Sequence, residues 1–345
     1  MDNLILLLTL GALSGVLSWI GVSLIRNYAL SRQRNAVASG DTTPETPRGG
    51  GLAILVVVLL IFMPVGLSIG EPSQVVRFAL SGVFFGIIGF LDDLRTLPRV
   101  ARLALQTLAA LIFIPSAPIH EIGLPYLNLS LSEPMAYLIS ALWIVALSNA
   151  YNYMDGIDGL AGGQAVLAGT LWAGVGLIEG DPLIVLLGLL IAATSAGFLV
   201  YNLPPASIFM GDVGTTFLGF SLAALPMLTV SRGASSRLII SGGLIVGLFL
   251  FDAVLTFFRY LLKGQGRSHA YRSHLYQRLV KLGESPYRVT TLYLLLSTGF
   301  GIAGLIYWRT TAWMALLISG AACLLLFIWI TQREIASEAP SSHGV

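Results

Sequence analysis

The sequence predicts an all-α integral membrane protein with about eleven transmembrane helices, and three observations carry that prediction. Of 345 residues, 56% are hydrophobic and 10% are charged, with a mean hydropathy of +0.84, whereas a soluble domain carries roughly a quarter charged residues. The apolar residues gather in runs of about 20, enough to cross a ~30 Å hydrocarbon core as a helix. The basic residues fall mostly on alternate connections between those runs. The same numbers exclude a disordered chain and a disulfide scaffold, and a net charge of +2 without a long basic run excludes a nucleic-acid binder. The single cysteine, Cys323, lies in the apolar run 321–330 and reads as a packing residue, so no intramolecular disulfide can form.

The first run, about 3–25, opens on Met1-Asp2-Asn3 without a basic leader and is followed by Arg26, Arg32 and Arg34, so it reads as a retained anchor. A polar stretch with Pro44, Pro47 and Gly49-Gly50-Gly51 leads into the second span, about 50–69. The third, 75–91, ends on Leu91-Asp92-Asp93-Leu94, and the fourth, 102–119, runs into a Pro- and Leu-rich loop over 116–134 that suits the membrane surface. The fifth, 135–151, leads into the block Asn149 to Leu160, and the sixth and seventh, 163–179 and 182–200, are joined by a short link. The eighth, 215–230, follows Phe209-Met210-Gly211-Asp212-Val213-Gly214. The ninth, 238–258, holds an intramembrane acid, Asp252, with no motif around it; a pair with Arg259 would account for it. The tenth and eleventh are 288–307 and 312–331, and the whole of 1–345 reads as one polytopic domain.

With the N-terminus outside and the C-terminus cytoplasmic, only Arg77, Arg232, Arg237 and Arg309 of the 19 basic residues fall outside. The expected cytoplasmic loops are then about 26–49, 92–101, 152–162, 201–214 and 259–287. Five carboxylates, Asp92, Asp93, Asp155, Asp158 and Asp212, share that face, although the basic residues alone set the orientation. Residues 152–164 and 201–216 contain no Lys or Arg, so like charges there need another counter-charge. Acids with amide oxygens and a phosphate suit Mg²⁺ or Mn²⁺, whereas one cysteine and scattered histidines do not suit structural zinc. The adjacent glycines let backbone N–H groups approach a phosphate, and Arg267, His269, Arg272, His274 and Arg278 supply complementary cationic and donor groups. Acids, a divalent cation and a basic loop on one membrane face read as a phosphoryl-transfer site. Each motif also has a bland reading: Asp92-Asp93 as a solvated loop, DGIDG as two capped turns, and Asp212 as a helix N-cap.

Five blocks in this order resemble the polyprenyl-phosphate N-acetylhexosamine-1-phosphate transferases, the group containing the lipid-I-forming translocase. They are Pro47-Arg48-Gly49-Gly50-Gly51, Gly89-Phe90-Leu91-Asp92-Asp93, Asn149 to Ala161, Ile208 to Gly214, and His274-Leu275-Tyr276-Gln277-Arg278-Leu279. The last block looks most like the O-antigen-initiating branch. The resemblance implies transfer of a sugar 1-phosphate from a UDP-N-acetylhexosamine, GlcNAc or a 6-deoxy relative, to undecaprenyl phosphate. UMP is released, Mg²⁺ is required, and the setting is the bacterial inner membrane with the site facing the cytoplasm. It implies Asp212 as the principal metal ligand, Asp92 as the acid that deprotonates or orients the lipid phosphate, and Asp93 beside it. Asp155 and Asn152 would line the nucleotide site, Gly156, Ile157, Asp158 and Phe209 would hold uracil, and His274 and Arg278 would contact the diphosphate or place the sugar. Arg48 matches the Gly-rich entry to the second span. Expected partners are the UDP-sugar, undecaprenyl phosphate and membrane lipids; a homodimer is compatible with the sequence.

The chain departs from the family in two places. Leu94-Arg95-Thr96 replaces a third acid found in some relatives, and of the consecutive histidines only His274 is present, with His269 five residues earlier. Two other classes fit parts of the pattern. A secondary transporter would carry acids at the bilayer midplane and paired helix interruptions in two repeated halves. A CDP-alcohol phosphotransferase would carry an arginine after its DG motif, where this chain has Asp158-Gly159-Leu160-Ala161-Gly162-Gly163.

Overall fold

The computed structural model describes residues 2–38, 46–263 and 273–338. Its helices are α1 (Asp2–Ala38), α2 (Gly51–Ile69), α3 (Pro72–Leu94), α4 (Arg99–Phe113), α5 (Glu133–Tyr153), α6 (Leu160–Glu179), α7 (Pro182–Asn202), α8 (Asp212–Ser231), α9 (Arg237–Ile245), α10 (Gly247–Lys263), α11 (Leu275–Lys281), α12 (Pro286–Thr310) and α13 (Trp313–Glu338). Ten helices are long and apolar enough to cross a membrane, and a bent pair brings the count to eleven. The expected all-α membrane architecture is therefore present.

Burial sorts the helices into an axis and a rim. In α8, 94% of the most apolar window is buried, against 28% in α1, α4 and α13, so α8 is the axis and the others present apolar side chains outward. Phe220 of α8 stacks on Phe85 of α3 at 4.8 Å and meets Phe113 of α4 edge-on at 5.6 Å. Near the start of α8 the packing is backbone on backbone. A Cβ on Gly51 would stand 2.3 Å from the Cα of Gly214, and one on Gly89 would stand 2.2 Å from the carbonyl oxygen of Asp212. Only glycine permits α2 and α3 to close on α8 at this level, which fixes where their termini lie.

Three features differ from the expectation. The ninth span is not continuous: α9 and α10 meet at a 76° bend. Gly242, Gly243 and Gly247 flank the break, and Gln164 donates from Nε2 to the Ile245 carbonyl at 2.8 Å. A carbonyl released from the helix ladder thereby regains a partner inside the bundle. The loop over 116–134 contains a β-hairpin, with β1 (Glu121–Leu124) antiparallel to β2 (Leu127–Ser130), packed against α9 and tied by Tyr307 Oη donating to the Gly123 carbonyl at 2.8 Å. Third, Asp252 is fully buried and is not explained by Arg259. It accepts from the backbone N–H of Leu275 (2.8 Å) and Tyr276 (3.4 Å) and from the hydroxyls of Tyr293 (2.8 Å) and Thr256 (3.3 Å), with His274 Nδ1 at 3.3 Å.

The hairpin end of the bundle carries its own neutralised charges. Asp181 caps α7 by accepting from Leu183 N–H at 3.0 Å and pairs with Arg232, which also donates to Gln74 Oε1 at 3.2 Å. The other end gathers Asp92, Asp93, Asp155, Asp158 and Asp212 (see below).

Gly51→Ala should destabilise the protein by about 1–3 kcal/mol, because the added methyl meets backbone that cannot rotate away. Gly174→Ala, where nothing lies within 4 Å, should leave stability unchanged or raise it by up to about 1 kcal/mol. Unfolding midpoints of the two variants in detergent test the contrast.

Candidate active site

The acid end is assembled by backbone pairing between segments far apart in sequence. Arg48 forms a parallel bridge with Phe209; Gly49 and Gly50 N–H donate to the Phe209 carbonyl at 3.1 and 3.0 Å, and Gly51 N–H donates to Met210 O at 2.9 Å. The entry to α2 is thus zipped to the segment before α8. Gly211, at φ +79°, turns the chain into α8, and a Cβ there would meet Asp93 Oδ2 at 2.9 Å. Asp93 accepts from Val213 N–H at 3.3 Å, placing a carboxylate on the positive end of α8.

Asn152, in the last turn of α5, reaches the same helix start and donates from Nδ2 to Asp212 Oδ1 at 3.0 Å and to Thr215 Oγ1 at 2.8 Å. The loop to α6 is pinned by Asp158, whose Oδ2 accepts from Ala206 N–H at 2.8 Å, and by Gly159, whose N–H donates to Asn202 Oδ1 at 3.0 Å. Thr290 of α12 donates to the Asp158 carbonyl at 2.8 Å. These contacts enclose a cavity of about 250 Å³. Arg48, Asn152, Asp155, Gly156, Ile157, Asp158, Phe209 and Asp212 all line it, so most residues marked in the sequence converge. The Phe209 ring remains exposed at its edge.

Asp92 is buried, and its carboxyl is near enough to Asp212 for the two like charges to repel. Its Oδ1 accepts from Leu97 N–H at 2.6 Å and its Oδ2 is paired with Arg102 at 2.8 Å, while Arg102 also donates to Tyr153 Oη at 3.1 Å. Arg102 opens onto a groove of about 440 Å³ between α4, α5 and α10, lined by Arg99, Leu103, Tyr153, Phe257 and His274. A second recess of about 590 Å³, walled by Leu24, Ile25 and Tyr28 of α1 with Phe90 and Leu94 of α3, reaches Arg48 and Asp93.

Two marked residues lie elsewhere. Arg278 is buried, bonded to Glu334 and Thr331 of α13 and set over the Phe327 ring at 5.9 Å. Its placement does not match a diphosphate contact, because its charge is already neutralised inside the protein. His274 begins α11, beside Asp252, and faces the groove rather than the cavity. Arg272, with Arg267 and His269, falls outside the described residues. Sequence reasoning missed Asn202 and Arg102. Asn202 gives no signal beyond its position at the end of α7, and Arg102 read only as one more basic residue on the inner face.

The sequence profile of glycosyl transferase family 4 matches residues 75–230. A probable undecaprenyl-phosphate N-acetylglucosaminyl 1-phosphate transferase of Bacillus subtilis is 31% identical over 294 residues, covering 85% of this chain and 80% of that protein. The chain belongs to glycosyl transferase family 4. A phospho-N-acetylmuramoyl-pentapeptide-transferase of Staphylococcus aureus is 29% identical over 199 residues, covering 53% of this chain and 62% of that protein. The family 4 match contains the Asp92-Asp93 pair, the loop after α5 and Asp212, and it ends before α9.

In this family 4 protein no group of three His, Cys, Asp or Glu side chains among the described residues forms a ready metal cage. The donor set still suits Mg²⁺, which usually takes one or two carboxylates and completes its shell with water and substrate phosphate. Asp212 and Asp155 supply hard oxygens, and Asn152 adds an amide. Burial, followed by the neighbouring Asp212, pushes the Asp155 carboxyl up to about 8, with Arg48 pulling the other way. A carboxyl whose pKa is raised on folding stabilises the protein fully where even the unfolded chain holds the proton, and that contribution is lost as pH rises through the folded value. In chelator, therefore, the melting temperature should fall between pH 5 and about pH 8. Asp155→Asn should flatten that slope, as thermal melts across pH would show.

Proposed function

We propose that the protein transfers an N-acetylhexosamine 1-phosphate from a UDP-sugar to undecaprenyl phosphate and releases UMP. The observation that carries this reading is the acid-lined cavity with the exposed Phe209, flanked by an apolar recess that shares Arg48 with it and by an apolar groove that reaches Arg102, the partner of Asp92. A soluble nucleotide and a lipid that stays in the bilayer can meet only at such a junction. The name of the B. subtilis relative supports the acceptor and favours GlcNAc as the sugar. Acids collected at one end of the bundle, instead of its middle, disfavour a transporter.

The Phe209 ring, at the cavity edge opposite the DGIDG loop, stacks on uracil while Asn152 and Asp158 line the nucleotide half. The α4–α5–α10 groove takes the acceptor, because Arg99 and Arg102 lie at its inner end, whereas the α1 recess offers only Arg48 beside Asp93. With one oxygen held by Leu97 N–H and the other by Arg102, Asp92 orients Arg102 toward the acceptor phosphate instead of removing a proton. An oxygen of the lipid phosphate attacks the β-phosphorus of the donor. The new P–O bond forms as the bond to the bridging oxygen breaks, and that oxygen leaves on UMP with the electron pair. The phosphate is already an anion, so direct attack requires no covalent enzyme intermediate. Asp212 and Asp155 would hold Mg²⁺, with Mn²⁺ as a substitute, and the cation would offset the charge on the diphosphate and on departing UMP. The basic bias of the sequence supports a setting in the bacterial inner membrane with this end facing the cytoplasm. The product suits the first membrane step of O-antigen or another cell-envelope glycan.

Purified protein with Mg²⁺ and undecaprenyl phosphate should release UMP from at least one member of a UDP-N-acetylhexosamine panel. Asp212→Asn should lower that rate by about 10²- to 10³-fold or more without unfolding the protein. Mg²⁺ should raise the melting temperature of the wild type and not of Asp212→Asn, since only a folded site that binds the ion is stabilised by it. Failure of every UDP-sugar would overturn the assignment.

A further inference from the structure

The block from His274 to Leu279 does not supply its arginine to the cavity, yet it touches the cavity wall through Tyr276. This side chain is fully buried and its hydroxyl donates to the Tyr153 carbonyl at 3.0 Å. The same oxygen accepts from Gln277 Nε2 at 3.1 Å. A Cβ on Gly156 would stand 2.0 Å from it, so the loop and the phenol leave no space between them. Burial holds the phenol proton well above its usual range, so the hydroxyl remains a donor. Tyr276 therefore holds the turn on either side of Met154 and Asp155.

Tyr276 is itself placed by Asp252. The Asp252 carboxylate accepts from Leu275 and Tyr276 N–H, capping α11, and from Tyr293 Oη of α12. On the far side of α11, Arg278 is locked to Glu334 of α13. A buried carboxylate is costly unless every lone pair is used, and here its donors come from α10, α11 and α12 together. The consequence is a continuous path of buried hydrogen bonds from the second half of the broken span to the backbone of the cavity loop.

We propose that Tyr276, held by Asp252, is a positioning residue that sets the Met154–Gly159 turn for the donor nucleotide. The binding arm of this inference rests on the function proposed above; the structural arm does not. The loop is also pinned by Ala206, Asn202 and Thr290, but those contacts fall on Asp158 and Gly159. Tyr276 is the contact at Tyr153 and Gly156, the end that carries Asp155.

The experiment compares wild type with Tyr276→Phe, Asp252→Asn and the control Tyr307→Phe, which removes an equally buried hydroxyl bond at the hairpin end. Hydrogen exchange by mass spectrometry, without ligand, should show the 154–159 amides exchanging faster in the first two variants and unchanged in the control. With UDP-GlcNAc or the UDP-sugar that the panel selects, Tyr276→Phe should raise the donor KM about 3- to 10-fold, the loss of one buried neutral hydrogen bond. The acceptor KM and kcat should stay within about twofold. Unchanged exchange over 154–159 in both variants overturns the positioning role, and so does faster exchange with an unchanged donor KM. If no UDP-sugar turns over with the wild type, the proposed function fails while exchange still decides whether Tyr276 holds the turn.

Discussion

Everything at the acid end follows from the need to keep several carboxylates together at helix termini, where water is scarce and like charges repel. The structure settles most of them with a specific partner. Asp92 is closed by Arg102 and Leu97 N–H, Asp93 by the first turn of α8, and Asp158 by Ala206 N–H. Asp252 is closed by backbone and hydroxyl donors from three helices. The Asp155 carboxylate accepts no hydrogen bond among the described residues, and Asp212 has the Asn152 amide and an acidic neighbour. Those two, side by side in the cavity lining, are where an external positive charge gains most. The candidate cation position is thus defined by which acids the fold leaves uncompensated, and not by how many acids are present.

The glycine contacts are part of the same constraint. Asp93 reaches the α8 start only because Gly89 lets α3 press against the Asp212 carbonyl, and the Gly49–Gly51 segment reaches Phe209 because Gly51 and Gly214 meet backbone to backbone. Moving α2 or α3 outward by the width of a methyl would carry Arg48 and Asp93 away from Asp212 together. Packing among apolar helices and the electrostatics of the cavity are therefore one problem, solved at the first turn of α8.

Much of this was legible in the sequence because bilayer thickness imposes a length on apolar runs and because charges are few. Ten continuous spans and the convergence of Asp155, Asp158 and Asp212 follow from counting and from sidedness. What was not legible depends on partners distant along the chain. Arg278 looked like a phosphate ligand because Glu334, 56 residues away on α13, gives no local sign of pairing with it. Asp252 looked like a candidate for Arg259 because helix periodicity reports i, i+4 neighbours and is silent about the amides of a short helix in a later loop. The break at Val246 was hidden for a related reason: its flanking glycines are common in membrane helices, and the Gln164 side chain that makes the break tolerable sits on α6.

The broken span links these misreadings. A continuous helix over 238–258 would carry Asp252 along the bundle axis, whereas the 76° bend turns α10 across it. In that direction Asp252 meets α11 and α12, and Phe257 and Thr256 become the wall of the groove that ends at Arg102. One bend thereby forms a wall of the apolar groove and fixes the anchor of the helix that grips the cavity loop. A substitution that straightened α9 onto α10 would disturb both at once.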